Sequence, residues 1–201
     1  VIDGQSGVVI VPTHKNIMVI DDDAFKDNTK ITKIILPKTV TQIGRNAFKG
    51  CTSLKEVYFI SDEDADYTAD GFVADADLTL INRNAFEGCT SLEYFDMRNL
   101  KVITVAKAAF KDCVNLKKIE KPTAIGTAAN YAFMGCEKLE TMDISGLHVA
   151  GEYVFAGCSS LKSITTEKYT QIGRGMFSDL NYNYQRYAYT TGEWKPEEHY
   201  Y

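Results

Sequence analysis

The side chains best suited to chemistry here are five cysteines, three histidines and one run of aspartates. Cysteines at 51, 89, 113, 136 and 158, if gathered, would hold a metal ion or pass electrons. No two of them form a C-x-x-C pair, and His14, His148 and His199 are far apart, without zinc-type spacing. The acidic run Asp62-x-Asp64-x-Asp66, with Asp70 behind it, opens like a calcium loop. Such a loop needs glycine at its sixth position and glutamate at its twelfth, where this chain has Tyr67 and Val73. A solvated acidic loop is therefore the expectation, and a low-affinity calcium site the alternative. No Gly-rich phosphate loop, G-x-S-x-G or H-E-x-x-H is present. We expect no catalytic residue, no resident metal and no cofactor.

Charge narrows the partners. The chain has 201 residues, with 22 Lys and Arg against 27 Asp and Glu. Seven of the acids fall within 60–82, which holds no base, so the remainder is nearly balanced. A protein that tracks phosphates shows a basic face or stripe, so nucleic acid is not an expected partner. No run of 18 apolar residues exists, so no membrane-spanning helix is expected. The chain starts at Val1 with neither an initiator Met nor an apolar leader, and a signal or anchor segment is expected to lie outside it.

The cysteines belong to a repeat. A phenylalanine after a small or apolar residue recurs at 25, 48, 86, 110, 133, 155 and 177, in steps of 23, 38, 24, 23, 22 and 22. The long step carries about 15 extra residues within 60–80. Three residues after each Phe come Asn28, the five cysteines and Leu180. Plus six is Ile or Leu, from Ile31 to Leu161, and plus nine is apolar, from Ile34 to Ile164. Minus five reads Ile20, Ile43, Ile81, Val105, Ala128, Ala150 and Ile172, and minus eight is apolar in most coils. A unit of 22–24 residues is too short for two packed helices and cannot bury its own apolar columns. Stacked units can, so the spacing predicts a quasi-one-dimensional solenoid.

Each unit is expected to hold one strand, six to eleven residues after Phe, as in 54–59 and 31–36. The Ala-Phe element is expected to form a short helical or 3-10 turn on the opposite side, with Asp23, Asn46 and Asn84 as N-caps. Parallel Cβ vectors about 4.8 Å apart suit no disulfide. The cysteine column therefore reads as buried, reduced thiols rather than a metal or redox ladder. At plus seven, Lys55, Glu93, Lys117, Glu140 and Lys162 alternate in sign, which predicts either an ion-pair ladder along the stack or a solvated rim.

The stretch Ile31-Thr-Lys-Ile-Ile-Leu-Pro-Lys-Thr-Val-Thr-Gln-Ile-Gly-Arg-Asn-Ala-Phe-Lys-Gly-Cys-Thr-Ser-Leu54 resembles the BspA-type (treponemal-type) leucine-rich repeat almost throughout. The resemblance covers about 8–180. It implies an α/β repeat solenoid: a right-handed coil stack with a parallel sheet on the concave face and helical or 3-10 turns opposite. It also implies a secreted or cell-surface protein of a host-associated bacterium, or of a eukaryotic parasite, with adhesion or protein binding as its role. Lys121 and Thr166 replace apolar plus-eleven residues, and Ala128 and Ala150 thin the minus-five column, so the later coils are expected to pack less tightly.

One domain is expected over 1–201: an N-terminal cap strand within 1–16 at Val8-Val-Ile-Val11, about seven coils over 17–180, and an aromatic cap or tail over 181–201. Six of the twelve tyrosines and the single Trp194 lie after Phe177, as capping strands or as an aromatic ligand platform. Plus eight and plus ten should leave the open side of the sheet. Lys33 and Ile35, Glu56 and Tyr58, Tyr94 and Asp96, and Lys118 and Glu120 occupy it in the first four coils. Thr141 and Asp143, and Ser163 and Thr165, occupy it in the later ones, and Arg98 follows Asp96 at plus twelve. The expected binding residues are Tyr58, Tyr94, Asp96, Arg98, Glu56, Lys118 and Glu120. Exposed Tyr and Arg suit a binding hot spot, although Tyr is also a good strand former. The leading expectation is a monomeric, non-enzymatic module that binds a protein, host or cell-surface, through this face. The alternative is a structural spacer or stalk of a larger surface protein.

Overall fold

A computed structural model describes residues 7–60, 76–96, 103–120, 125–165, 173–178 and 193–194. The strands that follow each cysteine and leucine form the first parallel sheet: β1 (Val8–Ile10), β3 (Lys33–Pro37), β5 (Glu56–Ile60), β7 (Tyr94–Asp96) and β9 (Lys118–Glu120), in that order. Two further strands, β11 (Thr141–Asp143) and β13 (Ser163–Thr165), pair in parallel in the later coils. Apolar plus-nine residues point inward, and Ile34, Val57 and Phe95 are fully buried in one continuous core.

Among the described residues, six coils also carry a second strand of two to four residues, which the repeat columns did not predict. These are β2 (Val19–Ile20), β4 (Gln42–Ile43), β6 (Leu80–Ile81), β8 (Ile103–Val105), β10 (Ile125–Ala128) and β12 (Val149–Ala150). They form a six-stranded parallel sheet. Its inward residues are the minus-five column, so Ile43, Ile81 and Val105 are fully buried. A register shift between Ile125 and Thr127 inserts Gly126 as a bulge.

The third side of the coil is not helical, which corrects the expectation of helical or 3-10 turns. The one 3-10 turn among the described residues is Thr13–Lys15, outside the Ala-Phe elements. Backbone hydrogen bonding explains why. The N–H groups of Asn46, Phe48 and Gly50 donate across to Arg83, Ala85 and Glu87 of the next coil, at 2.7–3.0 Å. Those of Ala47, Lys49 and Cys51 donate three residues back within the turn, at 3.0–3.3 Å. Every second donor is thus taken from any helix and given to a third ladder between coils. The alternation needs left-handed backbone at the two ends of each turn, as at Asn46 (φ 54°) and Gly50 (φ 73°).

Left-handed φ explains the Asp and Asn at minus two in the early coils, and Asp23, Asn46 and Asn84 are not helix N-caps. Asp and Asn tolerate this conformation better than other residues with a side chain. They also link side to side: the Asn46 amide donates to Asp23 Oδ1 at 3.1 Å, and the Asn84 amide donates to Asn46 Oδ1 at 3.2 Å. The ladder stops at Ala108, which holds φ 55° without an amide. Ala108→Asn should therefore stabilise the fold by about 1 kcal/mol, raising Tm by roughly 2–4 °C. Calorimetry would show it, and an unchanged or lower Tm would refute the conformational argument.

Phenylalanines fill the core as one column. Phe25, Phe48, Phe86, Phe110, Phe133, Phe155 and Phe177 stack nearly parallel, with interplanar angles of 4–9°. Centroid spacing is 5.0 Å for the first two steps, then 5.2, 5.3, 5.5 and 6.0 Å toward the C-terminal end. All five cysteines are free and buried beside this column. Each lies within 3.0–3.3 Å of a Phe carbonyl in the preceding coil and donates its thiol proton there, as Cys89 Sγ does to Phe48 O. The thiol thus combines a small apolar volume with a weak donor. At the far end, β14 (Glu193–Trp194) closes against β13 in antiparallel pairing, with Trp194 opposite Ile164. The tyrosines after Phe177 lie outside the described residues.

Candidate binding face

Register in the first sheet brings the sequence-predicted residues into two adjacent rows. Lys33, Glu56, Tyr94 and Lys118 are paired in turn across β3, β5, β7 and β9. Ile10, Ile35 and Tyr58 form the next row, and Asp96 pairs with Glu120. Tyr58 and Tyr94, 36 residues apart in sequence, meet with ring centroids 5.3 Å apart and planes tilted by 36°. Both rings are half-buried, so one flank of the pair meets solvent.

Lys33, which the repeat frame puts on this face but which is not among the expected binding residues, completes the cluster. Lys33 places its ammonium 2.7 Å from Glu56 Oε2 and 5.4 Å from the centre of the Tyr58 ring. The same cation therefore serves a carboxylate and an aromatic face. The signal was available at plus eight, where Lys33 and Glu56 are neighbours of opposite sign. Restraint by the ion pair and by strand backbone makes this a stiffer platform than a loop would be.

Two positions differ from the expected open face. Ile35 is fully buried, held between Ile10 and Tyr58 in register. Asp96 is only 5% exposed, the one buried charged residue among those described. It sits between the strands of Tyr58 and Glu120, so it belongs to the support of the face rather than its solvent side. Lys118 is exposed beside Tyr94. Arg98 and the calcium candidates Asp62, Asp64, Asp66 and Asp70 lie outside the described residues.

The plus-seven ladder forms in part. Lys117 Nζ meets Glu93 Oε2 at 2.7 Å, and Lys162 Nζ meets Glu140 Oε2 at 3.0 Å. The Lys117 hydrogen bond and charge hold the Glu93 carboxyl below the usual carboxylate range. Both pairs are exposed, so they tune surface charge more than stability.

Six copies of the BspA-type leucine-rich repeat region are matched, across residues 9–67 and 71–191. The chain belongs to the BspA-type leucine-rich repeat family. No curated protein matches it. Among solved structures it is similar to the pneumococcal vaccine antigen PcpA, at TM-score 0.63 and 19% identity, over 85% of this chain and 43% of that one. A leucine-rich cell-surface protein of Faecalibacterium prausnitzii is similar at TM-score 0.51 and 23% identity, over 81% of this chain and 48% of that one. A leucine-rich repeat protein of Eubacterium ventriosum is similar at TM-score 0.54 and 27% identity, over 68% of this chain and 33% of that one. The match thus covers less than half of each of these proteins. As a BspA-type repeat domain the chain has the parallel solenoid of its relatives, and no described helix is long and apolar enough to cross a membrane. Membership in a family of interaction repeats points to a protein-interaction module.

Proposed function

We propose that this BspA-type domain is a non-enzymatic, adhesion-type protein-binding module of a secreted or surface-presented protein. Its binding face is the outer side of the first sheet around Tyr58 and Tyr94. The observation that carries this reading is the tyrosine pair itself: two half-buried rings 5.3 Å apart, set on adjacent strands beside the Lys33–Glu56 ion pair. Tyrosine offers large contact area at low entropic cost, and hot spots concentrate in such clusters. Arg98 and Glu120 extend the proposed face, and the acids of the 60–82 segment would favour a basic partner surface.

The test uses the domain as bait for proteins released from host-cell surfaces, followed by titration of whichever protein is captured. Replacing Tyr58 and Tyr94 together by Ala should weaken binding by more than about 2 kcal/mol, roughly thirtyfold, while the melting curve changes little. Unchanged affinity in that double variant would overturn the site. Loss of affinity on mutating Tyr182, Tyr184, Tyr187 and Tyr189 instead would move it to the C-terminal segment. A bait that captures nothing would favour the spacer.

A further inference from the structure

We propose that the turn side of the solenoid carries a second docking surface, built on Tyr131, Tyr153, Lys107 and Arg83, which takes an acidic, extended segment of a protein partner. The starting point is a mismatch between residue type and backbone. The minus-two column requires left-handed φ, and the early coils meet it with Asp23, Asn46 and Asn84. The later coils place tyrosine there, Tyr131 at φ 65° and Tyr153 at φ 56°. A bulky residue in this conformation is a genuine outlier, and such strain concentrates where a side chain has work beyond folding.

What the tyrosines present follows from how they are held. Their rings stack at 5.7 Å and 12°. The Lys107 ammonium lies 5.7 Å from the centre of the Tyr131 ring. Tyr153 packs on Gly175 of the next coil, where a Cβ would come within 2.5 Å of its Cε1. Both rings are therefore engaged through their faces, which leaves no flat platform for a sugar. The half-exposed parts are the edges and hydroxyls, and neither hydroxyl has a hydrogen-bond partner among the described residues. Edge C–H groups carry partial positive charge and phenol O–H groups donate, so the row favours an acceptor.

Charge in the adjoining column agrees. At minus three, Arg45 is neutralised by Asp22 at 2.9 Å. Arg83 and Lys107 follow on consecutive coils, both exposed, and neither forms an ion pair among the described residues. Two like charges left side by side on a stack are unfavourable alone and suit a carboxylate-bearing ligand. Glu152 is the one acid further along this column, and Arg174 succeeds it. From Arg83 through Lys107 and Tyr131 to Tyr153 the line spans about 14 Å at ~4.8 Å per coil. That length matches a short extended peptide lying along the stack axis.

Fluorescence anisotropy with a labelled octa-glutamate peptide tests the proposal, with octa-lysine as the control. The wild-type domain should bind octa-glutamate alone, more weakly as salt rises. Tyr131→Asn with Tyr153→Asn should lower that affinity at least tenfold while holding or raising Tm, because Asn suits the left-handed backbone. Lys107→Glu should lower it likewise, and Tyr58→Ala with Tyr94→Ala should leave it unchanged, which separates this surface from the sheet face. Absence of octa-glutamate binding, unchanged binding in the Asn double variant, or a fall in its Tm that assigns the tyrosines to packing would each overturn the proposal.

Discussion

Phe86→Ala should cost about 3–5 kcal/mol, at the upper end of large-to-small core substitutions. Phe86 is fully buried and, like Phe110, has three aromatic neighbours among the described residues. It stacks on Phe48 at 5.0 Å and on Phe110 at 5.2 Å, and meets the edge of Phe95 at 5.3 Å and 81°. Each such pair adds about 0.5–1.5 kcal/mol beyond the burial of area. The cavity cannot collapse easily, because the backbone ladders on three sides hold the flanking coils at fixed separation. Phe25 is the natural comparison, since it is only half-buried and stacks on Phe48 alone. Phe25→Ala should cost less than half as much. Denaturant titration of the two variants decides the matter, and equal losses would mean that the column does not act as a continuous stack.

Thiol reactivity should separate folded from unfolded protein almost completely. All five cysteines are buried and free, so alkylation after unfolding should count five thiols. In the native state each must wait for an opening of the coil. Modification should therefore be slower by about a thousandfold or more, on the scale of the unfolding equilibrium. Recovery of one or three thiols would show disulfides and refute the column geometry. Burial also pushes the thiols of Cys89, Cys113 and Cys136 above their ordinary value of 9.0. The native state then holds protons that the unfolded chain releases above that pH. The stability contributed by these groups is complete below pH 9.0 and is lost as pH rises beyond it. Alkaline titration of Tm should show this decline, and Cys113→Ala should lessen it.

The core and the first sheet were legible because their signals are covalent spacings. A fixed Phe frame put Leu54, Val57 and Cys51 in columns, and all three are fully buried. The second sheet was harder to see, because strands such as β4 and β6 are two residues long. A single alternation of exposed and buried residues, as in Val19–Ile20 or Val149–Ala150, is too short to distinguish a strand from a turn. The Ala-Phe turns were misread for a related reason. Asn before an apolar pair serves equally as an N-cap and as a left-handed turn residue, and only the hydrogen bonds to the next coil separate the two. At the candidate face, the minus-to-plus frame brought Tyr58 to Tyr94 correctly. It could not show that Ile35 and Asp96 are buried, since that depends on the side chains of the adjoining strands.

The widening of the phenylalanine column gives the solenoid a mechanical direction. Ring spacing grows from 5.0 Å at Phe25 to 6.0 Å at Phe177, so dispersion contacts weaken steadily along the stack. Stability in a stacked repeat is set by nearest-neighbour interfaces, and here those interfaces are graded. Tension applied at the C-terminal end should therefore peel the loosest coil first and meet rising resistance at each coil that follows. The early coils, with the tightest rings, the amide ladder and the tyrosine pair, should yield last, an order that single-molecule pulling would show.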